Sequence, residues 1–318
     1  MGPTYRETFP KDEILRHAEM LKELNDANIV SVNAIPAEEG RWRLTIVGFD
    51  HTGDLSLMCG LMFVYGINIV GGYVFTAEHV QTRVRDSASR RSRKAARKFV
   101  NVFIVTPPDD SPSEEFWNGY QDDLSESLRM VEDHRQKEAA GQLVKRVAQA
   151  VRPQQAGPAM LYPVEIEIDN ESSENSTVLR IRADDTIGFL YELSNALAMT
   201  GIDIGRVIIG SLGNRVFDTL YVTSASGEKI TDATRLKELR AAVVLIKHFT
   251  HLLPQSPNPE TALLHFRNFL EHLFQQQNWV DDLSTLERSD VLQALAKLLG
   301  VSDFLWEDFL RLQHDNLF

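Results

Sequence analysis

Two short runs, 135 residues apart, repeat one arrangement of chemically useful residues: Asp50-His51-Thr52-Gly53-Asp54-Leu55 and Asp185-Thr186-Ile187-Gly188-Phe189-Leu190. In each, an aspartate is followed by a glycine and then a leucine, where strand-like alternation gives way to an apolar helical pattern. A turn that opens a helix presents unpaired backbone N–H groups, which suit a carboxylate. Glycine lets a ligand approach the backbone closely, and Asp50 or Asp185 could accept hydrogen bonds from an ammonium group. These are the parts of an amino-acid site. They equally fit a structural role, in which the aspartates cap helices and the glycines make tight turns.

Other chemistries lack their parts. Gly210-Ser211 matches the start of a nucleotidyltransferase signature, but that reaction needs an Asp-x-Asp pair for two magnesium ions and only Asp218 follows. His248 and His251 stand three apart on a helical stretch, yet no Glu or Cys lies at a spacing that completes a metal site. Glu132-Asp133-His134 and His314-Asp315 are isolated. The single cysteine, Cys59, sits in the apolar run Leu57 to Met62 and reads as a buried, inert thiol. The expectation is therefore no catalytic residue, no metal and no cofactor.

The elements that position these runs follow from periodicity. Upstream of each lies a strand, Trp42 to Phe49 and Thr177 to Asp184, preceded by a second strand signal at Ile29 to Ala34 and Val164 to Asp169. Leu190, Leu193 and Leu197 share one helix face. Gly66 and Gly201 stand where each helix must stop, ahead of Gly66-Ile67-Asn68-Ile69 and Gly201-Ile202-Asp203-Ile204. Further strands, at Phe99 to Thr106 and Val216 to Thr223, lead to long helices near Ser113 to Val151 and Thr231 to Leu252. An N-terminal helix (1–28), one unit (29–155, with a basic insertion at 81–98), a second unit (160–253), a proline linker (254–260) and a helical tail (261–318) are expected. The fold class is α+β, with helices covering one face of an open sheet.

With D-x-x-G-x-L, a helix, G-[IV]-[ND]-I and a β-hairpin in register twice, the chain resembles tandem ACT domains. The second unit, with Asp169-Asn170-Glu171 upstream and Leu212 to Thr223 downstream, is similar to the C-terminal ACT repeats of PII uridylyltransferases. The resemblance implies ferredoxin-like βαββαβ repeats and ligand binding at the strand-to-helix turns, with Asn68 and Asp203 as further polar contacts. The first unit departs by its long insertion and by His51-Thr52 in place of Arg-Pro. Gly300 to Leu305, after the leucine-rich stretch Leu292 to Leu299, resembles the opening helical segment of glutamine synthetase adenylyltransferases.

These likenesses imply a non-catalytic, amino-acid-sensing regulatory protein of nitrogen metabolism, with glutamine as the favoured ligand. A nitrogen-regulatory protein partner and homo-oligomerisation are implied with it. The alternatives are the regulatory front of a longer nucleotidyltransferase, its centre beyond residue 318, and a dimerisation module without ligand. A net charge of −12 over 318 residues argues against nucleic acid and anionic membranes. The eight basic residues among 83–98, without an aromatic, read as a solvated insertion. The polar N-terminus and the lack of a long apolar run point to a cytoplasmic chain.

Overall fold

The 135-residue offset reappears in three dimensions. In the computed structural model, which describes residues 3–51, 53–77, 97–151, 164–186, 188–213, 215–275 and 289–301, strand β2 (Trp42–Phe49) and helix α3 (Asp54–Val64) match β6 (Thr177–Asp184) and α6 (Phe189–Met199) at that offset. Both helices begin after a glycine in the left-handed region, Gly53 at φ 93° and Gly188 at φ 72°. Both end at another, Gly66 and Gly201, each at φ 69°. These are the backbone angles that L side chains resist.

Each half runs ββαββα, the order of the strand and helix signals along the sequence, and not the βαββαβ that the ACT resemblance implies. The first is β1 (Val30–Pro36), β2, α3, β3 (Asn68–Thr76), β4 (Lys98–Thr106) and α4 (Glu114–Glu132). The second is β5 (Glu165–Asp169), β6, α6, β7 (Ile202–Leu212), β8 (Arg215–Ser224) and α7 (Ala233–Leu252). A leading hairpin strand, β1 or β5, takes the sheet position beside β2 or β6, so no strand need return after the last helix. The helix expected over Ser113 to Val151 is two, α4 and α5 (Gln136–Ala150). His134, at φ 60°, reverses the chain between them, and the Arg135 N–H donates to Met130 O at 2.8 Å.

Strand order is β1-β2-β4-β3-β7-β8-β6-β5, antiparallel throughout. The halves meet where β3 pairs β7, from Gly71 opposite Gly210 to Phe75 opposite Arg206. Above that seam α3 packs on α6. Gly60 permits the approach: a Cβ there would lie 2.7 Å from the Tyr191 ring and 2.8 Å from Leu143 of α5. The N-terminal segment forms two helices, α1 (Pro3–Thr8) and α2 (Lys11–Glu23), with Pro10 at the break. Their Tyr5 and Phe9 meet the rings of Phe75 and Tyr73 on the sheet face away from α3.

Pairing of the two units thus occurs within the chain. Both outer edges are engaged by side chains from a helix: the Val32 N–H donates to Gln121 Oε1 at 2.8 Å, and Arg240 donates to Ile166 O at 2.7 Å. Such contacts blunt strand addition. Past α7 the chain makes a 3-10 turn, Leu253–Gln255, with Leu253 and Pro254 buried. It then enters α8 (Pro259–Leu273), where the Asn258 side chain caps the helix by accepting the Thr261 N–H at 3.2 Å. The last described helix is α9 (Ser289–Leu299).

The seam gives a paired prediction. Gly60→Val overpacks the α3–α6 contact and lowers stability by about 1–3 kcal/mol in urea denaturation. Gly141→Ala, within α5 and with no atom of the described residues within 4 Å of its Cβ position, raises it by roughly 0.5–1 kcal/mol. Equal effects from the two substitutions would contradict the packing described.

Candidate functional site

The turn between β6 and α6 opens on a cleft of about 700 Å³, within the roughly 300–1,000 Å³ common for small-molecule sites. Asp185, Thr186, Gly188, Phe189 and Leu190 line it where α6 begins, the place at which a helix leaves backbone N–H groups without intrahelical partners; here the Phe189 N–H donates to Thr186 O at 3.3 Å. Among the described residues no atom lies within 4 Å of a Cβ built on Gly188, so the left-handed backbone, and not crowding, demands glycine. The end of α7 and the turn after it also line the cleft, with Thr250, His251, Pro254 and Gln255.

Two buried charges in and behind this cleft escape the sequence reading. Asp218 on β8 is 2% exposed, and its Oδ1 has no hydrogen-bond partner among the described residues. Burial pushes its carboxyl up to about 7, against the opposing effects of the Gly210 N–H and Lys247. Lys247 on α7 is 3% exposed; its ammonium donates to Thr186 Oγ1 at 2.9 Å and lies 3.9 Å from the centre of the Phe189 ring. Burial lowers it to about 8, opposed by Asp185, Asp218 and Asp184. Thr186 also shares a 2.9 Å hydrogen bond with Thr250. Asp218 was legible in principle, because it interrupts the inward row Val216, Leu220 and Val222 of an alternating strand.

The equivalent turn of the first half leaves only about 90 Å³. Asp50 pairs with Arg97 at 2.7 Å. Asp54, at the first position of α3 where α6 has Phe189, turns its own carboxylate back to accept the His51 N–H at 2.7 Å. Burial pushes the Asp54 carboxyl up to about 6, with His51 opposing. The hydrogen bond to Asp54 in turn raises the His51 imidazole. Where Asp218 stands opposite Ile181, the first half has Asn101 opposite Ile46. Gly53 and Leu55 line this small space, whereas Thr52 and Ile187 lie outside the described residues. So does the basic stretch up to residue 96, while Lys98 donates to Leu21 O at 2.8 Å.

The polar strand residues change partners relative to the sequence expectation. Asn68 lines the second-half cleft, and Asp203 lines the first-half space. Antiparallel pairing of β3 with β7 sets the start of each strand beside the other half's turn. Each site is therefore composite. Among the described residues no group of three or more His, Cys, Asp or Glu is arranged to hold a metal ion, and no helix is long and apolar enough to cross a membrane. Cys59 is buried beside the cleft, and burial pushes its thiol up to about 12.

Over 251 residues the chain is 27% identical to the bifunctional uridylyltransferase/uridylyl-removing enzyme of Rhodospirillum rubrum, covering 76% of this chain and 24% of that protein. Over 235 residues it is 27% identical to the protein of the same name from Rhodopseudomonas palustris, covering 72% and 23%. The chain thus matches about a quarter of the length of these curated relatives. No family model and no solved structure matches it.

The buried carboxyl makes stability depend on pH. Because Asp218 titrates near 7 in the folded chain and near 3.8 as a free side chain, the native state holds the extra proton between those values, and stability falls as pH rises through that window. Asp218→Asn removes the Asp218 contribution, on the order of 4 kcal/mol across that window. Melting curves from pH 4 to 7 should flatten in the variant. An unchanged slope would show that Asp218 is not the group responsible.

Proposed function

We propose that this chain is a non-catalytic, ACT-type sensory region of nitrogen regulation that binds one small amino acid, glutamine first, in the second-half cleft. The observation that carries the reading is the contrast between two turns of common pattern. One is open at about 700 Å³, and the other is reduced to about 90 Å³ by its own side chains.

The chemistry of the open cleft suits a zwitterion. The ligand's carboxylate meets the amides at the α6 N-terminus, and its ammonium meets Asp218 or Asp185. Asn68 and Ser211, from the two halves, suit the amide of a side chain. With Asp184, Asp185 and Asp218 nearby, a second ligand carboxylate is repelled, which favours glutamine over glutamate. In the first half, Asp54 already supplies a carboxylate at the start of α3.

Likeness to bifunctional uridylyltransferase/uridylyl-removing enzymes supports the nitrogen-regulatory part of this reading. The match to a quarter of their length also supports the second arrangement, in which the region regulates a nucleotidyltransferase within a longer polypeptide. The resemblance of the tail to glutamine synthetase adenylyltransferases belongs to that proposal.

Calorimetry with glutamine and glutamate tests the site. Glutamine should bind and, at a hundredfold excess over Kd, stabilise the fold by about 2.7 kcal/mol; glutamate should bind at least tenfold more weakly. Gly188→Val should abolish binding by straining a left-handed position. Asn68→Ala should weaken it, and Asp203→Ala should leave it unchanged. No heat and no thermal shift with folded protein would remove glutamine, and loss through Asp203→Ala alone would move the site to the first half.

A further inference from the structure

Resting on that cleft reading, we infer that Arg267, on the tail helix α8, is a positioning residue for the ligand-facing wall. Its guanidinium donates through Nε and Nη2 to Glu192 Oε1 at 3.3 and 3.1 Å. Arg267 is 7% exposed and Glu192 1%, and the guanidinium carbon lies 4.5 Å from the centre of the Tyr191 ring. Glu192 follows Tyr191, which lines the cleft, and the Glu192 N–H donates to Gly188 O at 3.0 Å. The ion pair therefore sits one helical turn from the glycine that opens the site.

Both arms of this contact reach the cleft. Arg267 holds the first turn of α6, and Pro254 and Gln255, which lead into α8, line the same cleft. The tail is itself tied together, since His265 and Leu299 O make a 2.8 Å contact between α8 and α9. Among the described residues Glu192 Oε2 has no hydrogen-bond partner, so Arg267 holds the carboxylate through one oxygen only. A buried charge so thinly satisfied depends strongly on its counter-ion. Any ligand that favours one placement of the α6 turn must favour one placement of α8, and the coupling is reciprocal.

The test separates positioning from bulk stability and from the identity of the ligand. Removing one charge alone would strand the other, so Glu192→Leu and Arg267→Met are combined to keep the volume apolar and filled. Without ligand, exchange of the hydrogen-bonded Phe189 and Glu192 amides should quicken at least tenfold in the double variant, while the sheet amides of β4 and β8 stay within twofold. The single variant Arg267→Lys, which keeps a cation beside Glu192, should retain part of the protection that the double variant loses. Unchanged exchange at Phe189 and Glu192, or a uniform increase through the sheet, overturns the inference. In the unaltered chain, ligand at saturating glutamine should slow exchange in α8 as well as at the turn, and in the double variant only at the turn. Glutamine that protects the turn but never α8 also overturns it. Absence of any glutamine effect, with the ligand-free exchange as expected, sinks the glutamine reading and leaves the positioning role standing.

Discussion

The antiparallel pairing of β3 with β7 is the constraint on which the rest depends. It joins two four-stranded halves into one sheet, and it brings α3 against α6 closely enough that Gly60 must lack a side chain beside Tyr191. It also fixes which residues share a site. Because the strands run in opposite directions across the seam, Asn68 faces the turn of the second half and Asp203 that of the first. Each cleft is lined by residues of both halves.

Given one backbone pattern used twice, a few side chains set the difference between the turns. Asp54 against Phe189 decides whether the helix start is occupied by the chain's own carboxylate. Asn101 against Asp218 decides whether the floor carries a buried acid. The Arg97–Asp50 pair completes the filling of the first site. In the second, Lys247 donates to the Thr186 hydroxyl, which Thr250 also meets. Burying both Lys247 and Asp218 costs stability, which marks this region as one shaped by more than packing.

The repeat, the turn glycines and the strand-to-helix boundaries were legible because they are local. Left-handed backbone at Gly53, Gly66, Gly188 and Gly201 leaves a residue-type signature, and apolar periodicity marks the elements between them. The break at His134 left no such mark, since neither glycine nor proline signals it. The ββαββα order was legible too, because a second strand signal precedes β2 and β6, but strand signals say nothing of which neighbour a strand will choose. The partner exchange of Asn68 and Asp203 was hidden for that reason. Lys247 lay in an apolar helical run, Val243 to Phe249, where its burial could have been suspected but its contact with Thr186 could not.

Asymmetry between two similar turns is the central claim, and the number of ligand molecules held per chain measures it most directly. Equilibrium dialysis with radiolabelled glutamine at saturating concentration should give one molecule bound per chain. Two per chain would show that the first-half turn opens despite Asp54 and Arg97, and would contradict the account.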